Sequence, residues 1–403
     1  MKIILSVDAI RHPLTGIGRY AAELASGLSD YPGIEAVRFY LNGRWLNSVA
    51  SETRQSAVSG PLRRSLLARA RSSLPNNSLT LKTSRQVVGA IDQWRLRRLD
   101  DHLFHSPNYF LPRFGGPTIA TIHDLSTLIY PQYHPESRVA LVNLEIPNTL
   151  ARASHLITDS AAIRLELINR FGCSAERVSA IALGVDPVFH PREPQALKPR
   201  LEPYGLTPGA YCLCVATIEP RKNIQRLIMA HASLPLALRR HYPLILAGET
   251  GWRSEEIHAS ITAAQRTGTV RYLDYLPQED LPFVFAGAHL FSLPSHYEGF
   301  GLPLLEAMAS GVPLVTSTCP TLLELAGDVG LVVDPEDTNA LAEALRRGME
   351  DDLWRRDASA SGLARARQYS WEQCVQSTFA VYQRVMYGRS ATDALHLSSL
   401  SGG

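Results

Sequence analysis

A chain of 403 residues exceeds what one ordinary hydrophobic core supports, so two domains are expected. Its 40 basic and 38 acidic side chains leave a formal net charge of +2, the balance of an ordinary soluble protein, and no nucleic-acid partner is expected. The five scattered cysteines exclude a disulfide framework and show no zinc-ligand spacing, which points to a reducing cytoplasm; no apolar run approaches the roughly 18 residues of a membrane span, so the protein reads as soluble or peripheral.

Taken in order, residues 3–7 read as a first strand ending at Asp8, too short and polar for a signal peptide. The loop His12-Pro13-Leu14-Thr15-Gly16-Ile17-Gly18 follows, and Arg19-Tyr20-Ala21-Ala22-Glu23-Leu24 opens a helix. Gly16, Gly18 and Ala21 match the dinucleotide fingerprint G-x-G-x-x-A weakly: the approach from the strand is long, and the next strand, 37–41, runs into Asn42 rather than an acid. A glycine-rich turn open to a ligand is one reading, and a simple tight turn the other. Residues 51–100 differ in composition. Segment 61–71 is basic with interleaved leucines, and Trp94-Arg95-Leu96-Arg97-Arg98-Leu99 repeats the theme. Such a segment suits an anionic membrane surface, and equally a solvated helix with snorkelling arginines.

Residues 103–107 and 118–124 are the next strand ends, and His123 and Asp124 stand where the second of them stops. Ligands of open α/β sheets bind at the carboxyl ends of strands, which makes this His-Asp pair a candidate although a lone histidine is usually structural. A strand at 178–183 leads to Gly184-Val185-Asp186-Pro187, and the proline-rich stretch 191–209 reads as an inter-domain linker.

The second half repeats the pattern. A buried strand at 211–217 precedes the turn Ile218-Glu219-Pro220-Arg221-Lys222-Asn223 and a helix at 224–232, so Arg221 and Lys222 lie at a carboxyl edge where cations could neutralise a pyrophosphate. Paired basic residues in a turn are also common on a solvated surface. Further strands fall at 244–248 and 270–273. Two apolar runs, 288–293 and 312–315, then flank His296-Tyr297-Glu298-Gly299-Phe300-Gly301-Leu302-Pro303 and a short helix stopped at Gly311. Gly299 and Gly301 permit close backbone approach, and the helix N-terminus offers N–H groups to a phosphate. Glu298 and Glu306 bracket this anion site. Like charge makes them poor phosphate ligands but good acceptors for hydroxyls, the combination a sugar nucleotide needs; the plainer alternative is two acids that favour a helix terminus. A strand at 331–335, a helix at 338–349 and an amphipathic helix at 371–386 complete the chain before a small, polar tail. The β-then-α alternation predicts two doubly wound parallel sheets whose carboxyl edges face a cleft.

These motifs resemble glycosyltransferase family 4, retaining enzymes of the two-Rossmann GT-B architecture. The resemblance rests on Thr15-Gly16-Ile17-Gly18-Arg19-Tyr20, His123-Asp124, Glu219-Pro220-Arg221-Lys222-Asn223, the Glu298-to-Glu306 motif and the closing helices, and it spans nearly the whole chain. It implies a first Rossmann-like domain over 1–190, a donor-binding Rossmann-like domain over 210–369 and a helix at 370–386 returning to the first domain, while composition alone marks 191–209 as linker and 387–403 as a disordered tail. By resemblance His123 lies over the donor sugar, Glu298 contacts its hydroxyls, and Lys222 with Arg221 stabilises the departing diphosphate. Gly299, Phe300, Gly301 and Leu302 hold sugar and phosphate, Glu306 bonds the ribose, and Gly16, Gly18 and Arg19 shape the acceptor and phosphate side. One position departs from the pattern: Ala216-Thr217 replaces the Gly-Arg of many members, which removes a phosphate cation from Thr217 and makes Arg221 its substitute.

Pre-placed cations and amides lower the barrier as charge develops on the leaving diphosphate. No Asp-x-Asp pair occurs, so neither a metal nor a cofactor is expected. Retention in this family is thought to proceed by front-face attack with the leaving phosphate taking the acceptor's proton, so no carboxylate nucleophile is required. The resemblance thus implies transfer of mannose or rhamnose from a nucleotide-diphosphate sugar, GDP-mannose or GDP-rhamnose favoured, to a glycan or lipid-linked glycan of a bacterial O-antigen, lipopolysaccharide or capsule. The setting would be cytoplasmic, with peripheral contact to the membrane. A glucosyl-type transferase using a UDP-sugar is the alternative within the class. An NAD-dependent oxidoreductase would rest on Gly16, Gly18 and Ala21 and leaves the second anion site unexplained. A non-catalytic sugar-nucleotide scaffold would bind donor without transfer.

Overall fold

A computed structural model describes residues 1–11, 14–48 and 92–388; the basic segment 61–71 and the tail from 389 lie outside the described residues. The chain divides into two compact units. The first comprises Met1–Leu128, Glu136–Ala182 and Trp371–Gly403, the second Ile129–Pro135 and Leu183–Ser370. Among the described residues no helix is long and apolar enough to cross a membrane.

The first unit is built on strands β1 (Lys2–Ser6), β2 (Ala36–Leu41), β3 (Arg44–Leu46), β4 (Leu103–Ser106), β5 (Thr118–Ile122), β6 (His155–Thr158) and β7 (Val178–Ala180). They lie in the order β3-β2-β1-β4-β5-β6-β7, parallel except for the β2–β3 hairpin. Asn42 and Gly43, with φ of 45° and 79°, supply the two positive angles that this hairpin turn demands. Strands β4, β5 and β6 are buried along their whole length, as parallel strands covered on both faces must be.

The C-terminal helix Trp371–Tyr387 belongs to this unit, as the resemblance implies. Gly27 of helix Gly16–Ser29 admits it: a Cβ there would stand 2.6 Å from Val375 Cγ2. A buried polar chain secures it further. Tyr382 OH meets His105 Nδ1 at 2.5 Å, and His105 Nε2 and Tyr20 OH each meet Thr121 Oγ1 at 2.9 Å. Burial drops the His105 pKa to about 3, so the ring is neutral and supplies one donor and one acceptor to the chain.

The second unit carries β8 (Cys212–Val215), β9 (Leu244–Ala247), β10 (Val270–Tyr272), β11 (Leu290–Leu293), β12 (Leu314–Ser317) and β13 (Leu331–Val333), all parallel, in the order β10-β9-β8-β11-β12-β13. The chain winds outward from β8 to β10, then crosses back to β11 and winds the other way. That is the doubly wound order, and its switch point lies between β8 and β11. Cys212 and Cys214 are buried within β8, and burial raises both thiols, Cys214 to about 12; they are core residues.

Three features differ from the sequence reading. The stretch read as a linker is folded: helix Pro194–Leu201 buries Leu197 and Leu201, and the second unit begins at Leu183 rather than near 210. Its Pro194 occupies a first-turn position that lacks an N–H partner anyway. The strap Ile129–Pro135, inside the span assigned to the first domain, belongs to the second unit. Lastly, the glycine-rich loop is shorter than expected. Helix Gly16–Ser29 starts at Gly16, with Thr15 as its N-cap accepting Gly18 N–H at 3.2 Å.

Candidate active site

The crevice beyond a switch point is where a doubly wound sheet presents ligand-binding loops. In the second unit two such loops leave β8 and β11. After β8, residues 216–219 lead to the turn Pro220–Lys222, and Asn223, left-handed at φ 59°, starts helix Ile224–Ala232. Its Nδ2 donates to Pro294 O at 3.1 Å and Pro335 O at 2.7 Å, tying the loops after β8, β11 and β13 together.

The side chains meet at Glu298. Its Oε1 accepts from Lys222 Nζ at 2.6 Å and Ser295 Oγ at 2.7 Å, and its Oε2 from Arg221 Nη1 at 3.1 Å. Arg221 donates from Nε and Nη2 to Glu219 Oε1 at 3.1 and 2.6 Å. Glu298 is 5% exposed and Lys222 9%. Burial pushes the Glu298 pKa up, but Lys222, Arg221 and the hydrogen bonds outweigh it, and the net shift is downward. Glu298 is therefore a carboxylate at neutral pH. Two carboxylates and two cations sum to zero, so the cluster is self-neutralised.

Helix Leu302–Ala309 begins immediately beyond. Gly301 is its N-cap, no side chain caps it, and Pro303 sits in its first turn. Leu304 and Leu305 N–H close back on Gly301 O at 2.9 and 3.2 Å and Pro303 has no N–H, so the Leu302 N–H and the positive dipole end are what the helix offers an anion. Gly301 cannot be another residue without strain: φ is 103°, and a Cβ would lie 2.7 Å from Leu322 Cδ2. Phe300 is buried, with its ring 6.1 Å from that of Tyr369; Leu302 is half-buried, and Glu306 is buried one turn into the helix. Thr217 is exposed at the end of β8, and Gly251 packs against it so closely that a Cβ would come within 2.7 Å of Thr217 Cγ2.

His123 follows β5 in the first unit, also at a carboxyl edge, but its partner is not the adjacent acid. Asp124 turns back to accept Ser126 N–H at 2.9 Å and Ser126 Oγ–H at 2.8 Å, which starts helix Ser126–Ile129. His123 Nδ1 lies 2.7 Å from Asp159 Oδ2, and Nε2 lies 2.7 Å from Pro107 O. The carbonyl can only accept, so Nε2 donates to it, and an ionised Asp159 takes the Nδ1 proton of a charged ring, although burial also raises the Asp159 carboxyl above its ordinary value. Burial lowers its pKa, yet the Asp159 charge and the hydrogen bonds raise it by more. Tyr20 and Tyr109 pack edge-on to the ring at 5.3 and 5.8 Å. The remaining residues named from sequence, Gly16, Gly18 and Arg19, form the first turn of helix Gly16–Ser29. Gly18 is buried because the preceding loop crosses it: a Cβ would stand 2.9 Å from Ala9 O. Close chain packing therefore explains this glycine without a ligand.

Sequence reasoning missed Asp159, which lies 36 residues from its partner, the roles of Glu219, Asn223 and Ser295, and the aromatic strap. Tyr130 and Tyr133 of the strap stack at 5.4 Å, Tyr130 lies 5.7 Å from Tyr297, and Tyr133 lies 6.3 Å from His296. Only the density of aromatic residues at 130–134 hinted at it.

Comparison with known proteins covers both units. The Glycosyltransferase Family 4 model matches residues 14–189, and the Glycosyl transferases group 1 model matches residues 206–365. The chain is 38% identical to O-antigen chain mannosyltransferase B of Escherichia coli over 95% of its own length and 100% of that protein. It is 29% identical to the serotype-specific mannosyltransferase WbdA of Escherichia coli over 74% of its length and 37% of that longer protein. Among solved structures, HepE of Anabaena in complex with UDP and glucose superposes with a TM-score of 0.69 at 20% identity, covering 95% of this chain and 99% of the other.

Proposed function

On the premise that the chain belongs to glycosyltransferase family 4, we propose that it transfers a mannosyl unit from a nucleotide-diphosphate sugar to a growing or lipid-linked glycan of a bacterial O-antigen, with retention at the anomeric carbon. GDP-mannose is the favoured donor, ahead of GDP-rhamnose. The observation that carries the reading is the buried Glu298–Lys222 pair beside an uncapped, glycine-led helix at the switch point. Mannose as the sugar is supported by the two Escherichia coli relatives, both mannosyltransferases by name.

In this reading the donor's diphosphate displaces Glu298 from Lys222. The ammonium turns to the phosphate, and the released carboxylate accepts hydrogen bonds from sugar hydroxyls. Glu306 accepts from the ribose, while the amides of Gly299, Phe300, Gly301 and Leu302 surround sugar and phosphate. An acceptor hydroxyl attacks the anomeric carbon on the face the diphosphate leaves. The bond from that carbon to the phosphate oxygen breaks, its electron pair stays on the phosphate, and the hydroxyl's proton moves to that oxygen. His123 is given no proton-transfer role, since Asp159 and Pro107 engage both ring nitrogens.

The side-chain cation and helix dipole perform the task a metal bridge would, so we assign no metal or cofactor to the reaction, and EDTA should leave turnover unchanged. Peripheral contact with an anionic membrane is a separate reading, resting on the basic, leucine-interleaved sequence of segment 61–71 and its echo at Trp94-Arg95-Leu96-Arg97-Arg98-Leu99. Binding to vesicles containing anionic lipid at low salt tests that part alone.

The test of the whole is a thermal-shift screen of GDP-, UDP-, ADP- and dTDP-sugars, followed by NMR of the product's anomeric proton. Stabilisation by GDP-mannose and an α-linked product are expected. A β-linked product overturns retention, and stabilisation by UDP-glucose alone moves the assignment to a glucosyl-type transferase.

A further inference from the structure

Resting on that reading, we propose that Arg221 is a positioning residue that, held by Glu219, sets the loop carrying Glu298, and that Lys222 alone supplies the side-chain cation for the departing diphosphate. Adjacent in sequence, the two cations invite a shared role, with Arg221 standing in for the arginine absent at Thr217. Their surroundings separate them.

A guanidinium has five N–H donors in a rigid fork. In Arg221, Nε and Nη2 donate to Glu219 Oε1, and Nη1 donates to Tyr297 O at 3.0 Å and to Glu298 Oε2 at 3.1 Å. Every nitrogen is engaged by the protein, and the side chain is only 14% exposed. The backbone joins in, since Arg221 O accepts His296 N–H at 2.9 Å. One residue thereby holds three consecutive residues, His296, Tyr297 and Glu298. The rings of Tyr130 and Tyr133 pack against Tyr297 and His296, so the loop is held by strap as well as by fork.

Charge points the same way. Glu219 cancels the Arg221 charge at 2.6 Å, which suits a bracket and defeats a phosphate ligand. Lys222 differs: among the described residues its ammonium donates to Glu298 alone, at 2.6 Å, and two of its three N–H donors remain for a ligand. A lysine at position 221 would retain the charge but carries its donors on a single nitrogen, and so lacks the fork that spreads Arg221's bonds over three nitrogens. That distinction is measurable.

The experiment compares calorimetric binding of GDP and GDP-mannose, with UDP and UDP-glucose run alongside, and turnover in the wild type, Lys222→Met, Arg221→Lys, Arg221→Met and Glu219→Gln, each checked by thermal melting. Lys222→Met should lose at least about tenfold in affinity for the bare nucleoside diphosphate. Arg221→Lys should bind that diphosphate within about threefold of wild type, yet lose most of the affinity that the sugar adds and about a hundredfold in kcat. Glu219→Gln should move the same two quantities in the same direction. The proposal is overturned if Arg221→Lys turns over like the wild type while Arg221→Met loses about tenfold in diphosphate affinity, the pattern of a charge placed on phosphate. A wild type that binds no nucleotide or sugar nucleotide would instead remove the transferase reading, and the inference with it.

Discussion

Glu298 of the second unit and His123 of the first each stand just beyond a buried parallel strand, and each meets an oppositely charged partner, at 2.6 and 2.7 Å. What else the partners bond separates them. Lys222 retains donors for a ligand, and in the proposed reading Glu298 exchanges Lys222 for sugar hydroxyls while Arg221 stays in place. His123 has spent both nitrogens on Asp159 and Pro107, and its neighbours are the edges of two tyrosines. One architectural position thus yields an exchangeable ion pair in one unit and a closed one in the other. Damage to the first pair should appear in turnover, and damage to the second in stability.

The largest stability effect expected is from His123→Ala, which leaves the Asp159 carboxylate buried without its cation, at a cost of about 3–5 kcal/mol. Chemical denaturation read by peptides of the first unit in hydrogen exchange measures it, and a loss below about 1 kcal/mol would erase the contrast between the two pairs. Gly301→Ala comes next. Its positive φ and the close approach of Leu322 predict about 1–3 kcal/mol, together with weaker nucleotide binding, because the helix N-terminus must shift. Tyr382→Phe removes the hydroxyl that meets His105 and should cost about 1–2 kcal/mol, confined to the first unit and with donor affinity unchanged.

The smallest effects are in pH, and their signs oppose each other. The His123 pKa is raised in the folded state, so its contribution is full below the ordinary value of 6.5 and fades as pH climbs through the raised one. The Glu298 pKa is lowered, so its contribution is present above the ordinary value of 4.5 and fades as pH falls through the lowered one. Exchange protection around β5 should therefore weaken first on the alkaline side, and around β11 on the acid side. Both weakening at the same end would contradict the assigned charge states.

Much of this was legible in the chain. Buried parallel strands are continuous apolar runs, and the β-then-α alternation implied two doubly wound sheets. Gly301, Pro303 and Gly311 marked the helix that heads the site, because each residue type has few backbone positions that suit it. The hairpin at Asn42-Gly43 carried its own turn signal and went unread. Helix Pro194–Leu201 was hidden by composition: Pro194 is tolerated in a first turn, and only the inward faces of Leu197 and Leu201 show that the segment is packed. Pairings were the hardest to see. His123 stands next to Asp124 in sequence and bonds Asp159 in space, since the acid one residue on is taken up starting a helix. Arg221 likewise read as a second cation until its four contacts showed it bound to the protein. Spacing along a chain locates loops on an edge; it does not say which side chains on that edge are already satisfied.

The central claim is that the Glu298 carboxylate serves the transferred sugar. Glu298→Gln tests it most directly, because the amide retains the size of the side chain and an oxygen for Lys222. The measurement is sugar transfer from GDP-mannose to an α-mannoside acceptor by the purified variant, alongside its melting temperature. The account predicts a loss of about a hundredfold or more in kcat from a protein that still folds. Wild-type turnover by a folded Glu298→Gln protein would contradict it.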